Sequence, residues 1–81
     1  MKYVYVIRSK TDTKQFYTGI AYNVDARLKD HNSGKSRHTV KYKPWELIVS
    51  VGFKESVKAH EFERYIKSGS GRVFSKRHFR S

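Results

Sequence analysis

Apolar and polar positions divide the chain into short blocks. Tyr3-Val4-Tyr5-Val6-Ile7 is β-branched or aromatic throughout and reads as a strand. The polar stretch SKTDTKQ (9–15) follows as a turn, and Phe16 to Ile20 reads as a second strand forming a hairpin with the first. Asn23 is a good N-cap, Val24, Leu28 and His31 recur at i, i+4 and i+7, and Gly34 is a good stop, which predicts a helix between them. KSRHTVKYKP (35–44) is a basic loop ending at the only proline. Trp45 to Val51 is largely apolar, so a third strand is expected there, and its apolar run predicts that it is the central one. Ser56 opens a second helix running to about Lys67. SGSGR ends it, and VFSKRHFRS forms a short basic segment of one or two helical turns.

The resulting order, β-β-α-β-α-(α), predicts an α+β fold: an α/β sandwich with a small three-stranded antiparallel sheet flanked by helices. Residues 1–81 read as one domain, without repeats or low-complexity blocks. A chain of this length buries only about 60–65 % of its unfolded surface. It has no cysteine, which excludes disulfides and thiolate zinc sites as staples. Its twelve aromatics are expected to supply the core instead. The longest apolar runs, YVYVI and LIV, are too short for a membrane span or signal core, so a soluble, cytoplasmic protein with no membrane partner is expected.

Charge narrows the partner. Eighteen Lys and Arg against seven Asp and Glu give a net charge of +11, which points to a polyanion and, with the aromatics, to nucleic acid. Lys35, Arg37, Lys41 and Lys43 crowd one loop, and Arg72, Lys76, Arg77 and Arg80 crowd the tail. Both runs are candidate phosphate tracks, or alternatively a solvated cationic surface.

Three charged or titratable residues fall where a helix expects apolar ones. With Ala59 at 0° on a helical wheel, Ile66 lies near −20° and Phe62 near −60°, a buried stripe. Glu61 falls on the far side, but Glu63 lies at about +40°, on the stripe's edge. A lone buried carboxylate costs several kcal/mol unless it is paired or bound to a metal. On the first helix, His31 lies in the stripe with Val24 and Leu28, and Arg27 lies at its edge. Taken singly, His31 reads as a satisfied core histidine, Arg27 as a rim residue covering apolar surface, and Glu63 as half of a buried pair with Arg27. Together the three exceptions point to a functional site.

Tyr3-Val4-Tyr5, Tyr17-Thr18-Gly19, Arg27, His31 and Glu63, in that order and spacing, resemble the GIY-YIG nuclease domain, whose small stand-alone members are similar to this chain end to end, including the ERYIKSGSGR stretch around Glu63. The first motif begins with Tyr3 where glycine is usual, and no asparagine follows Asn32, unlike several larger members. The resemblance implies a metal-dependent endonuclease acting on DNA, structure-specific and in a repair or recombination setting. It also admits a protein partner that presents the substrate. Tyr5 and Tyr17 would converge to order or deprotonate the attacking water, and a tyrosine needs nearby cations to serve as a base. Arg27 would supply such a cation and a planar fork for the phosphate, with His31 sharing the proton work. Gly19 would leave room for the scissile phosphate, or mark a bulge. Glu63 would hold one Mg²⁺ or Mn²⁺, completed by water and phosphate oxygens. The competing expectation is a non-catalytic nucleic-acid-binding module, either an inactive relative or a small ribosome-type protein.

Overall fold

A computed structural model describes residues 1–80. Strands β1 (Lys2–Ser9), β2 (Phe16–Ala21) and β3 (Trp45–Phe53) alternate with helices α1 (Val24–Ser33), α2 (Ser56–Lys67) and α3 (Gly69–His78), and one 3-10 turn spans Val40–Tyr42. The sheet is antiparallel in the order β2-β1-β3. The α+β class and the three-stranded sheet are as expected, but the central strand is β1, and β3 lies at an edge.

Burial explains that difference. Val4, Tyr5, Val6 and Ile7 are all buried, so β1 is covered on both faces. Along β3 burial is uneven, with Leu47, Ser50 and Gly52 exposed. The pairing of β1 with β3 also shifts between Val6 and Ile7, where Ile48 is the extra residue of a bulge. Tyr5 and Ile7 face one side and join Ala21 and Trp45 in a core, with Val24, Leu28 and Tyr42 packed on it. Helix α2 lies across β1 and β2, burying Ala59 and Ile66, while Phe62 meets Phe53 at 5.3 Å between ring centroids.

The ends of α1 are set by local chemistry. Asn23, in an extended conformation, accepts the Ala26 N–H at 3.0 Å. Gly34 takes φ +86°, a left-handed value that glycine adopts without strain, and its N–H turns back to the Asp30 and His31 carbonyls. Asn32 then fastens the helix to the sheet, since its side-chain amide exchanges hydrogen bonds with the Trp45 backbone N–H and C=O.

The tail departs from expectation. Instead of ending in a loop, α2 passes through Ser68 directly into a ten-residue α3 that contains both glycines. The Ser68 hydroxyl caps it by accepting the Gly71 N–H at 3.2 Å. Gly71 is buried because α2 and α3 nearly touch there, and a Cβ would run into the Tyr65 carbonyl. Close approach, rather than helix breaking, accounts for this glycine.

Candidate active site

Site residues come from β1, β2, α1 and α2 and from the loop before the 3-10 turn. Strand β1 carries Tyr5 directly opposite Gly19 of β2, and α1 carries Arg27 and His31 one turn apart. The space left by the missing Gly19 side chain is filled by the Tyr5 ring, since a Cβ there would strike its hydroxyl and ring carbons. Gly19 therefore makes room for a tyrosine, not for a phosphate as expected.

Tyr5 and His31 are sealed in the core, at 1 % and 0 % exposure. The Tyr5 hydroxyl lies 2.8 Å from His31 Nε2, and His31 Nδ1 lies 2.7 Å from Thr39 Oγ1. In the tautomer with its hydrogen on Nδ1, His31 donates to Thr39 and accepts from Tyr5, so both ring nitrogens are satisfied. Thr39 is held in turn, because its carbonyl accepts the Trp45 indole N–H at 2.9 Å. Nearby, the buried Ser9 hydroxyl donates to the Tyr42 carbonyl at 2.6 Å and fixes the 3-10 turn that follows Thr39. Thr39 was not among the residues picked out from sequence: it sits in a basic loop, and no local pattern distinguishes it from its polar neighbours.

Tyr17 is half-buried and closes the group. Its ring meets His31 edge-on at 5.1 Å and Tyr5 at 6.5 Å.

Electrostatics favour a neutral pair at rest. Burial pushes the Tyr5 pKa above its ordinary 10.0, while Arg27 pulls it down by hydrogen bonding and by charge, and the Tyr17 and Glu63 charges raise it. Burial outweighs the cation, so Arg27 alone does not make Tyr5 acidic, contrary to expectation. His31 is lowered from 6.5, chiefly by burial and then by the Arg27 charge, with Asp30 opposing. Both shifts keep the proton on Tyr5 at rest, so a neutral phenol donates a hydrogen bond to a neutral imidazole.

Glu63 is not half of a buried pair with Arg27. It bonds Lys67 at 3.1 Å in an i, i+4 pair, with 21 % of its side chain exposed, and Arg27 pairs with Asp30 at 3.6 Å. Among the described residues no cluster of three or more His, Cys, Asp or Glu could cage a metal. One partly exposed carboxylate fits a hard ion such as Mg²⁺, which keeps several waters and binds through one or two carboxylates plus substrate phosphates. The loop cations Lys35, Arg37, Lys41 and Lys43 are exposed, as are Arg72, Lys76 and Arg77 of α3. Lys35 pairs with Asp30 at 3.7 Å, and Lys41 stacks on Tyr42. No helix is long and apolar enough to cross a membrane among the described residues.

Comparison with known proteins agrees with this arrangement. Residues 1–77 match the GIY-YIG catalytic domain. The chain is 35 % identical to UPF0213 protein SH2523 of Staphylococcus haemolyticus over 69 residues, covering 84 % of this chain and 82 % of that one. It is also 35 % identical over 65 residues to the Structure-specific endonuclease subunit SLX1 homolog of Giardia intestinalis, covering 75 % of this chain but only 18 % of that protein. The solution structure of UPF0213 protein BH0048 from Bacillus halodurans superposes with a TM-score of 0.56 at 32 % identity, covering 94 % of this chain and 81 % of the other. With both tyrosine motifs on neighbouring strands and a match over nearly its whole length, the chain belongs to the GIY-YIG catalytic domain family.

Proposed function

We propose that the protein is a divalent-metal-dependent endonuclease that hydrolyses phosphodiester bonds in DNA. The observation that carries this reading is the convergence on one phenol: His31 bonds the Tyr5 hydroxyl, while Arg27, Tyr17 and Glu63 all act on its ionisation. A structural core needs one partner for a buried phenol but not an arginine, a second tyrosine and a carboxylate around it, whereas phosphodiester hydrolysis needs a base, a cation for the phosphate and help for the leaving oxygen.

Tyr17, on the solvent side, meets the attacking water. Tyr5 lies behind it and takes the water's proton while passing its own to His31 Nε2. The water thus attacks as hydroxide and the imidazole ends protonated, with Thr39 holding the resting ring in the accepting tautomer. Arg27 stabilises the phenolate as it forms and offers its fork to the non-bridging oxygens. Glu63 would hold Mg²⁺ or Mn²⁺, and a bound ion would neutralise charge on the departing oxygen. The exposed Lys67 pair would have to give way for the carboxylate to hold an ion.

The SLX1 homologue's name, a structure-specific endonuclease subunit, supports selection by substrate structure, for which branched DNA is the natural probe, and a partner subunit. A repair or recombination role is the setting in which such a substrate would arise. The test incubates the purified protein with labelled duplex, single-stranded and branched DNA in Mg²⁺, Mn²⁺ or EDTA. Metal-dependent nicking, strongest on branched DNA, is expected. Tight binding without nicking on any substrate would replace the enzyme with a binding module.

A further inference from the structure

On the other side of β2 from the Tyr5 core lies a cleft of about 250 Å³, between β2, the end of α2, and α3. Lys67, Arg72 and Arg80 line it, and no acidic side chain does. Neither arginine belongs to an ion pair among the described residues. The Arg80 guanidinium carbon stacks 4.2 Å from the Phe16 ring centroid, and its Nε is covered without a partner. The remaining Arg80 donors are its terminal nitrogens, as a planar fork.

The helix dipole separates Arg72 from the other cations of α3. Lys76, Arg77 and His78 occupy the last turn of α3, where positive charge is favourable in the absence of any ligand. Arg72 lies near the opposite, positive end, whose first turn carries no acidic residue. Lys67 ends α2 and Arg80 follows the end of α3, both favourable places for a cation, so it is Arg72, at the wrong helix end and without a counter-charge, that calls for an anion from outside. The cleft is smaller than a typical drug-sized pocket, about 300–1,000 Å³, and suits a single phosphodiester.

Two residues join this cleft to the tyrosine site. Tyr17 lines the cleft and packs against His31, and Lys67 lines it while holding Glu63 at 3.1 Å. We propose that the cleft is a second phosphate site, in which Arg72 and Arg80 grip a non-scissile phosphodiester of the strand whose scissile bond lies at Tyr17. The proposal takes from the nuclease reading only that the ligand is nucleic acid.

The test measures binding of labelled duplex DNA in EDTA, so that cleavage plays no part, across a salt series. The proteins are wild type, Arg72→Ala, the double variant Arg72→Ala/Arg80→Ala, and a control, Lys54→Ala/Lys58→Ala, whose exposed cations lie outside the cleft. Loss of one neutralised phosphate should flatten the slope of log K against log salt by about one unit. That flattening is expected in the double variant and in part in Arg72→Ala, with the control close to wild type. If the double variant fails to melt cooperatively, Arg72→Ala decides alone, since Arg72 is exposed and its removal leaves the fold intact. A wild-type slope in the arginine variants, or equal flattening in the control, overturns the site even if nicking is robust. Flattening confined to the arginine variants upholds it even if wild type never nicks. Absence of any DNA binding overturns both readings.

Discussion

The Tyr5 hydroxyl and His31 Nε2 stand 2.8 Å apart inside the core, and both residues are held at 1 % exposure or less. A buried phenol–imidazole contact of this kind ties a catalytic candidate to the stability of the whole domain. Tyr5→Phe keeps the ring over Gly19 and removes only the bond. It should cost about 1–3 kcal/mol, because a buried ring nitrogen loses its partner. Nicking should fall by roughly 100-fold or more if the proton leaves through this bond. Melting curves and single-turnover nicking on one preparation check both. A variant that melts early yet nicks at the wild-type rate would make the contact purely structural.

Thr39 should act through His31. Thr39→Val preserves the side chain's shape but leaves Nδ1 unsatisfied, so the accepting tautomer is no longer enforced. The expected result is a lower kcat with little change in KM, a shifted pH–rate profile, and recovery in Thr39→Ser, which keeps the hydroxyl. An unchanged kcat and pH profile in Thr39→Val would remove Thr39 from the proton path.

The same pair predicts how stability varies with pH. The folded His31 binds its proton less readily than the unfolded one, whose pKa is near 6.5, so acidification favours unfolding. Stability should be at its full value above pH 6.5 and fall as pH drops below it. Folded Tyr5 has a raised pKa and keeps its proton when unfolded tyrosine loses it near 10.0, so stability should also fall above pH 10. Thermal melts from pH 5 to 11 should show both declines. His31→Gln should blunt the acidic one and Tyr5→Phe the alkaline one. A melting temperature that rises on acidification below pH 6.5 would contradict the assignment.

Where one local signal suffices, the structure follows the sequence closely. The apolar run Tyr3–Ile7, the Asn23 cap and the Gly34 stop each act within a few residues, and β1 and α1 lie where those residues put them. The features that escaped depend on contacts made far along the chain. An apolar β3 looked central, yet centrality went to β1, which α2 covers on the face opposite Tyr5. Gly69 and Gly71 read as helix breakers, because nothing in their neighbourhood reveals that α3 must pass against the Tyr65 carbonyl. The wheel placed His31 on the buried stripe correctly, but Thr39 reaches its imidazole only once the 35–44 loop has folded back. Glu63 lies at the edge of the buried stripe with 21 % of its side chain exposed, and its partner is Lys67, an ordinary i, i+4 neighbour, instead of Arg27.

That weak pairing makes Glu63 the cleanest point at which to test a metal-dependent nuclease. Its bond to Lys67 is worth about 0.3–0.5 kcal/mol, so Glu63→Gln should melt close to wild type. Affinity for DNA should hold or rise slightly, since a negative charge near the phosphate is gone. The deciding measurement is the nicking rate of Glu63→Gln on branched DNA in Mg²⁺ and in Mn²⁺, beside wild type. The account predicts a folded, DNA-binding protein whose cleavage collapses in both metals; a variant that nicks at the wild-type rate in either would contradict it.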